Sequence, residues 1–204
     1  MIARYCGQVI LDVIKETGTE ELAAFLNAIQ YRSVLCSNYC DLNMNTSKIS
    51  GVTMVYKPTV NAVIYDLKIH NIRFDVSIKD YYNLLVKNKS ISFAVPDFDD
   101  FYVDLSHKIR KNTAMLCGVY VSGILISCAC AVAIDEYAAV IGGVATLPEY
   151  KQQGFGSTAV ASITEYLHKK NKRIFLHRNL NKLEDFYTKL GYVNCSEWQE
   201  LFHK

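Results

Sequence analysis

The 204-residue chain is 50% apolar and 21% charged with a formal charge of +2, so it has ample material for a core and lacks the basic excess that an electrostatic nucleic-acid binder needs. Its seven cysteines are odd in number and show no framework spacing, and Cys128-x-Cys130 has no second ligand pair; they read as reduced thiols of a cytosolic protein, with no metal site. The N-terminus lacks the apolar core of a signal peptide, and the longest apolar stretch, Val119 to Ile134, is broken by Ser122, Gly123 and Ser127, which excludes a helical bilayer span and points to a soluble protein without a membrane partner.

Along the chain, Gln8 to Ile29 reads as one or two helices, with Thr19, Glu20 and Glu21 as cap and acidic first turn before Leu22, Phe25, Leu26 and Ile29. Residues 36–49 are polar and irregular. Gly51 to Tyr56 and Val60 to Tyr65 are short strands joined as a hairpin. Ser77 caps a helix over Ile78 to Lys87 that carries Tyr81, Leu84 and Leu85 on one side, and Ile91 to Val95 is a strand. Asp97, Asp99 and Asp100 open the next helix and Lys108, Arg110 and Lys111 close it, the order a helix dipole favours. Those aspartates could instead hold a cation, but capping requires nothing extra.

Thr113 to Tyr120 and Ile124 to Val132 form a hairpin about Val121-Ser122-Gly123, and Tyr137 to Thr146 is the third strand. Gly142 and Gly143 within it mark a bulge, a close backbone approach, or a strand packed tightly on its neighbour. After a Gly-bearing turn comes a helix with Val160, Ile163 and Leu167 on its apolar side and a basic end at His168 to Lys172. Arg173 to His177 is a strand. Asn181, with Glu184 as its box partner, caps a last helix with Leu183, Phe186, Tyr187 and Leu190 as its buried stripe and Gly191 as its closing residue. Tyr192 to Phe202 is the final strand.

The stretch around which the rest is organised is Val140 to Ser157. Its first half is a buried strand by composition, ended by Pro148. Lys151-Gln152-Gln153-Gly154-Phe155-Gly156-Ser157 then opens the helix. First-turn N–H groups lack intrahelical partners and the helix dipole favours negative charge there, so a strand, a turn and a Gly-bearing helix start make an anion site. Glycines at 154 and 156 let a phosphate approach the backbone. The Walker pattern is absent. Gly154 to Ala159 fits G-x-G-x-x-A, but the glycines lie too far from the strand end and no acid follows to hold a ribose, so a dinucleotide fold is rejected.

The run Thr146-Leu-Pro-Glu-Tyr-Lys-Gln-Gln-Gly-Phe-Gly-Ser157 resembles the acyl-CoA pyrophosphate motif of the GCN5-related N-acetyltransferases, and Asn181 to Tyr192 resembles the same family's F-Y-x-K-L-G signature. The likeness covers about Phe98 to Trp198. Lys151 departs from the usual Arg or Gln and would meet a phosphate as a point charge rather than a fork. The resemblance implies an α/β (α+β) fold with a mixed, mostly antiparallel central sheet flanked by helices. Residues 96–204 would be the acetyl-CoA-binding catalytic domain. Residues 1–95 would be a degenerate half of similar kind that shapes the acceptor pocket and supplies a strand otherwise missing at the C-terminus.

Acetyl transfer to an amine requires the thioester held, the amine deprotonated, the oxyanion stabilised and the thiolate reprotonated. The resemblance assigns acetyl-CoA as cosubstrate to Val144, Ala145 and Thr146 on the strand, to Lys151, Gln152, Gln153, Gly154, Phe155, Gly156 and Ser157 in the turn, and to Asn181. The Val144 N–H would face the oxyanion. Tyr187 is the expected general acid, since a phenol of pKa about 10 keeps its proton at neutral pH while a thiol ionises near 8.5. Glu136 is the first candidate base and His177 the second. The expected function is N-acetylation of a primary amine by direct attack. The acceptor is open among a small molecule, a peptide N-terminus and a protein lysine, the small molecule leading; a homodimer is compatible. The competing readings are an acyl-CoA-binding regulatory protein without turnover and a longer-chain acyltransferase.

Overall fold

The computed structural model describes residues 2–5, 8–11, 19–29, 31–37, 42, 46–58, 71–89, 95–180 and 183–203. Its elements are β1 (Ile2–Tyr5), β2 (Gln8–Leu11), α1 (Thr19–Ala28), β3 (Ser33–Ser37), β4 (Thr46–Tyr56), β5 (Asn71–Arg73), α2 (Ile78–Val86) and α3 (Phe98–Arg110). There follow β6 (Met115–Val121), β7 (Ile124–Ile134), β8 (Ala138–Thr146), α4 (Phe155–Lys169), β9 (Arg173–Asn179), α5 (Glu184–Lys189) and β10 (Tyr192–His203). The architecture is mixed α/β with mostly antiparallel pairing, as expected from the sequence; the parallel pairs among those described are β2 with β3 and β8 with β9. The chain gathers into two compact units, one of residues 1–54, 178–184 and 194–204, the other of residues 55–177 and 185–193.

In the first unit, β2 is a strand where the sequence reads as helix. Its alternation of half-buried and buried residues places Val9 and Leu11 in a cluster with Leu26, Val34, Cys36, Leu42 and Leu201. Four residues are too few to separate period 2 from period 3.6, and the tertiary cluster decides. α1 does form behind Glu20 and Glu21, but of its apolar residues Leu26 is the one fully enclosed, and Phe25 is 48% exposed. β3 and β4 take up part of the stretch read as irregular. Gly51 has no room for a side chain, because a Cβ there would strike the Trp198 indole and the Arg178 carbonyl. The expected strands at 60–65 and 91–95 lie wholly or mostly outside the described residues.

The second unit holds the expected capped helices. Ser77 Oγ accepts from the Asp80 N–H at 3.3 Å, and an Asp97 carboxylate oxygen accepts from the Asp99 N–H at 3.0 Å. Asp97 is thus the N-cap of α3, with Asp99 and Asp100 in its first turn. β6 and β7 are joined through Ser122 and Gly123, both at positive φ (50° and 81°), the arrangement that matches strand twist in a two-residue hairpin. α4 packs on β6, β7 and β8 with Val160, Ile163 and Leu167 buried, while α2 packs on β7 and β8. At the start of α5, Leu183 is not in the buried stripe: it has φ 60° and is 60% exposed. The helix begins one residue later, so only Tyr187 and Leu190 of that stripe are buried and Phe186 is half-buried.

Candidate active site

β8 is paired along its whole length on one edge only. Its parallel pairing with β9 runs from Ala138↔Arg173 to Ile141↔Leu176 and stops, although β8 continues to Thr146. On the other edge the register with β7 skips. Cys130 faces Gly142 and Cys128 faces Ala145, so Gly143 and Val144 together occupy one position of the partner strand. Gly143 carries the irregularity, with φ +56°. It is also a close approach: the Tyr81 hydroxyl on α2 donates to the Gly143 carbonyl at 2.8 Å, and a Cβ on Gly143 would collide with that hydroxyl.

Side chains hold the unpaired end of β8. Ser127 Oγ donates to the Ala145 carbonyl at 3.0 Å and lies 2.8 Å from Thr146 Oγ1. Asn88 Nδ2 donates to the Thr146 carbonyl at 3.0 Å. Nothing in the sequence marks these three. Tyr81 looks like one more apolar position of α2, and Asn88 and Ser127 are ordinary polar residues until the fold brings them to β8.

Beyond Leu147, Pro148 starts a single turn of 3-10 helix, Pro148–Tyr150. Gln152 and Gly154 then take φ 61° and 88°, swinging the chain into α4. Gly154 is the N-cap of α4 and offers no side chain to the first-turn N–H groups, so those donors are left to a ligand or solvent. Lys151, Gln152, Gln153 and Gly154 are exposed, Gly156 and Ser157 half-buried. Phe155 is buried edge-on against Tyr150 and anchors the turn. A Cβ on Gly156 would come 3.2 Å from Thr146 Oγ1 and 3.9 Å from Phe186 Cζ, so the β8 end, the α4 start and α5 meet at this glycine. An anion the size of a phosphate can be bound here by uncapped N–H groups, helix dipole and the Lys151 ammonium together.

Tyr187, the residue after Phe186, is 7% exposed, with its ring edge-on to Phe186 and to Tyr192. Burial pushes its phenol up to about 12, so it is fully protonated at neutral pH. His177 follows Leu176, where β8 and β9 part; its side chain reaches solvent, and the atoms crowding it hold its pKa below the ordinary imidazole value by desolvation. Glu136 is not brought to this place. It is exposed in the β7–β8 turn, ahead of the strand whose far end leads into the turn; nine residues of extended chain span roughly 30 Å. Its backbone carbonyl accepts from Lys172 Nζ at 2.7 Å. Asn181 lies outside the described residues.

A strand freed of its neighbour and feeding an uncapped, glycine-started helix, within a mostly antiparallel sheet flanked by helices, is the architecture of an acyltransferase. The chain belongs to the acetyltransferase (GNAT) family, whose model matches residues 78–192, more than half of its length. Among solved structures it is similar to a GCN5-related N-acetyltransferase from Kribbella flavida (TM-score 0.67, 13% identity, 96% of this chain and 80% of that one). A GNAT-family protein from Novosphingobium aromaticivorans gives TM-score 0.65 at 14% identity over 96% and 82%. Glucosamine-6-phosphate N-acetyltransferase from Arabidopsis thaliana gives 0.51 at 17% over 62% and 93%. At these identities the likeness is one of fold. No curated protein matches the chain. No helix among the described residues is long and apolar enough to cross a membrane.

Proposed function

We propose that the protein transfers acetyl from acetyl-CoA to the primary amine of a small molecule by direct attack. The observation that carries this reading is the parting of β8 from β9 after Ile141 directly ahead of the uncapped α4 start. That edge would offer backbone groups of Val144, Ala145 and Thr146 to the pantetheine amides. Lys151, Gln152, Gln153, Gly154, Phe155, Gly156 and Ser157 would receive the pyrophosphate, mainly through backbone N–H groups. The missing side chain at Gly156 fits this, since the space in front of it is bounded by Thr146 and Phe186. Acetyl-CoA supplies the activated acyl group.

The amine attacks the acyl carbon and gives up a proton as the C–N bond forms and the C–S bond breaks. His177, neutral at pH 7, is the base at the edge where the strands part. Tyr187 donates to the departing sulfur. A phenol held near 12 is a weaker acid than a thiol of about 8.5, so its hydrogen bond to the developing thiolate comes first and the proton passes late, as negative charge localises on sulfur. A cleft of about 260 Å³ between α2 and the β6–β7 turn, lined by Asp80, Asn83, Leu84, Lys87 and Leu147, adjoins the end of β8. It has room for a small acceptor, and its lining offers one acid and one base, Asp80 and Lys87.

The test is calorimetric titration with acetyl-CoA on the wild type and on Gly156→Glu, which places bulk and negative charge at the expected pyrophosphate position. Binding by the wild type and its loss in the variant support the site. Binding without transfer to any amine in a broad panel would favour an acyl-CoA-responsive regulatory protein, and no binding at all would overturn the reading.

A further inference from the structure

The Gly143–Val144 peptide unit lies at the skip in the β7–β8 register and beyond the end of the β8–β9 pairing. Toward β7 the two residues share one position, between Cys130↔Gly142 and Cys128↔Ala145, and toward β9 pairing has already ended at Ile141. A peptide unit is planar and trans, so its C=O and N–H point in opposite directions, and whatever sets one sets the other. Here the C=O is set by a side chain. Tyr81 Oη reaches it at 2.8 Å from a residue only 2% exposed. A carbonyl oxygen can only accept, so the phenol's one proton is committed to this bond. Gly143 completes the arrangement, since any Cβ there would occupy the place of the hydroxyl.

We propose that Tyr81 is a positioning residue for acyl transfer: through the Gly143 carbonyl it fixes the direction of the Val144 N–H, the donor for the acyl oxygen. This rests on the acetyl-CoA reading above. An O–H bond to the carbonyl also polarises the shared peptide unit and strengthens its N–H as a donor, and donors already aimed at the developing charge carry much of the catalysis of acyl transfer. Tyr81 itself touches neither substrate. A purely structural role, tying α2 to β8, is already served by Asn88 on the Thr146 carbonyl, so the two roles separate by experiment.

The measurement is isotope-edited infrared spectroscopy of acetyl-CoA carrying ¹³C at the acyl carbonyl, bound to the full chain, with calorimetry on the same samples. In the wild type the acyl C=O band should move to lower frequency than in free acetyl-CoA. In Tyr81→Phe it should return most of the way to the free value, with the Kd for acetyl-CoA changed by less than about threefold. A folded, acetyl-CoA-bound Tyr81→Phe with the wild-type band overturns the positioning role, as does a wild-type band that does not shift on binding. Should Tyr81→Phe fail to fold, Tyr81→3-fluorotyrosine keeps the shape and makes a stronger donor; it should push the band further down, and an unmoved band again overturns the proposal. Calorimetry reports first, so an absence of acetyl-CoA binding, which removes the underlying reading and this inference with it, is distinguished from a failure of Tyr81 alone.

Discussion

Asn88 gives one amide group to two carbonyls, Leu84 in its own helix at 2.9 Å and Thr146 at the end of β8 at 3.0 Å. One residue thus closes α2 and pins the last carbonyl of β8. Asn88→Ala removes both bonds and leaves a partly buried carbonyl unpaired, a loss of about 1–3 kcal/mol. Chemical denaturation should show it, and acetyl-CoA affinity should fall as well, because the end of β8 is no longer held. A variant as stable as the wild type would mean that water replaces the amide at no cost.

The Arg178 guanidinium, with 2% of its side chain exposed, meets the Glu184 carboxylate at 2.7 Å and Asn194 Oδ1 at 3.3 Å. Glu184 is the first residue of α5. Removing one partner of a buried pair costs more than replacing the buried charge by an apolar group of similar size. Glu184→Ala should therefore destabilise by about 2–3 kcal/mol, less than for a fully buried pair because Glu184 is 52% exposed. Glu184→Ala combined with Arg178→Met should recover part of that loss. Melting curves showing the double variant below Glu184→Ala would contradict this.

Gln152 sits at φ 61° in the turn. A side chain in left-handed backbone costs roughly 1–2 kcal/mol, against roughly 0.5–1 for the extra freedom glycine brings to the unfolded chain. Gln152→Gly should raise the melting temperature slightly and leave acetyl-CoA binding in place, since the pyrophosphate contacts here are assigned to backbone N–H groups. A clear fall in affinity would show that the Gln152 side chain itself binds.

Tyr187→Phe should lower kcat by about ten- to a thousandfold, the range for a group that moves a proton in the transition state, with little change in acetyl-CoA affinity. Unchanged turnover removes the phenol from the mechanism. In the wild type, the phenol near 12 gives no alkaline loss of activity below about pH 10, and the acid limb, set by His177, should lie below the ordinary histidine pKa. That limb should disappear in His177→Gln.

The same phenol makes the fold sensitive to alkali. Its folded pKa, about 12, lies above the unfolded value near 10, so the neutral form is favoured by folding. Its contribution, roughly 2–3 kcal/mol for a pKa raised from about 10 to about 12, is complete below pH 10 and is lost as pH rises through 12. Tyr81 and Tyr192, also raised by burial, act in the same direction. Denaturation midpoints should stay level in this respect up to pH 10 and then fall, and Tyr187→Phe should flatten part of that fall.

Local chemistry was enough to place much of the second unit. Ser77, Asp97, Ser122-Gly123, Pro148, Gly154 and Gly191 each act through their own backbone or the next few residues, and the period of Val160, Ile163 and Leu167 shows which side of α4 is buried. The glycine turn before α4 and the position of Tyr187 on α5 were legible for the same reason, being contiguous motifs. What only the tertiary structure decided is what comes together across the chain. Val9 and Leu11 are strand residues because a core cluster takes them. Leu183 is exposed because its backbone turns before α5 can start. Glu136 and Thr146 border one strand and stand at its opposite ends. Tyr81 meets Gly143 across 62 residues of sequence. Contacts of that separation follow from the packing of α2 on β7 and β8, and one chain read in order carries no signal for them, because the residues that make them look like any other buried tyrosine or strand glycine.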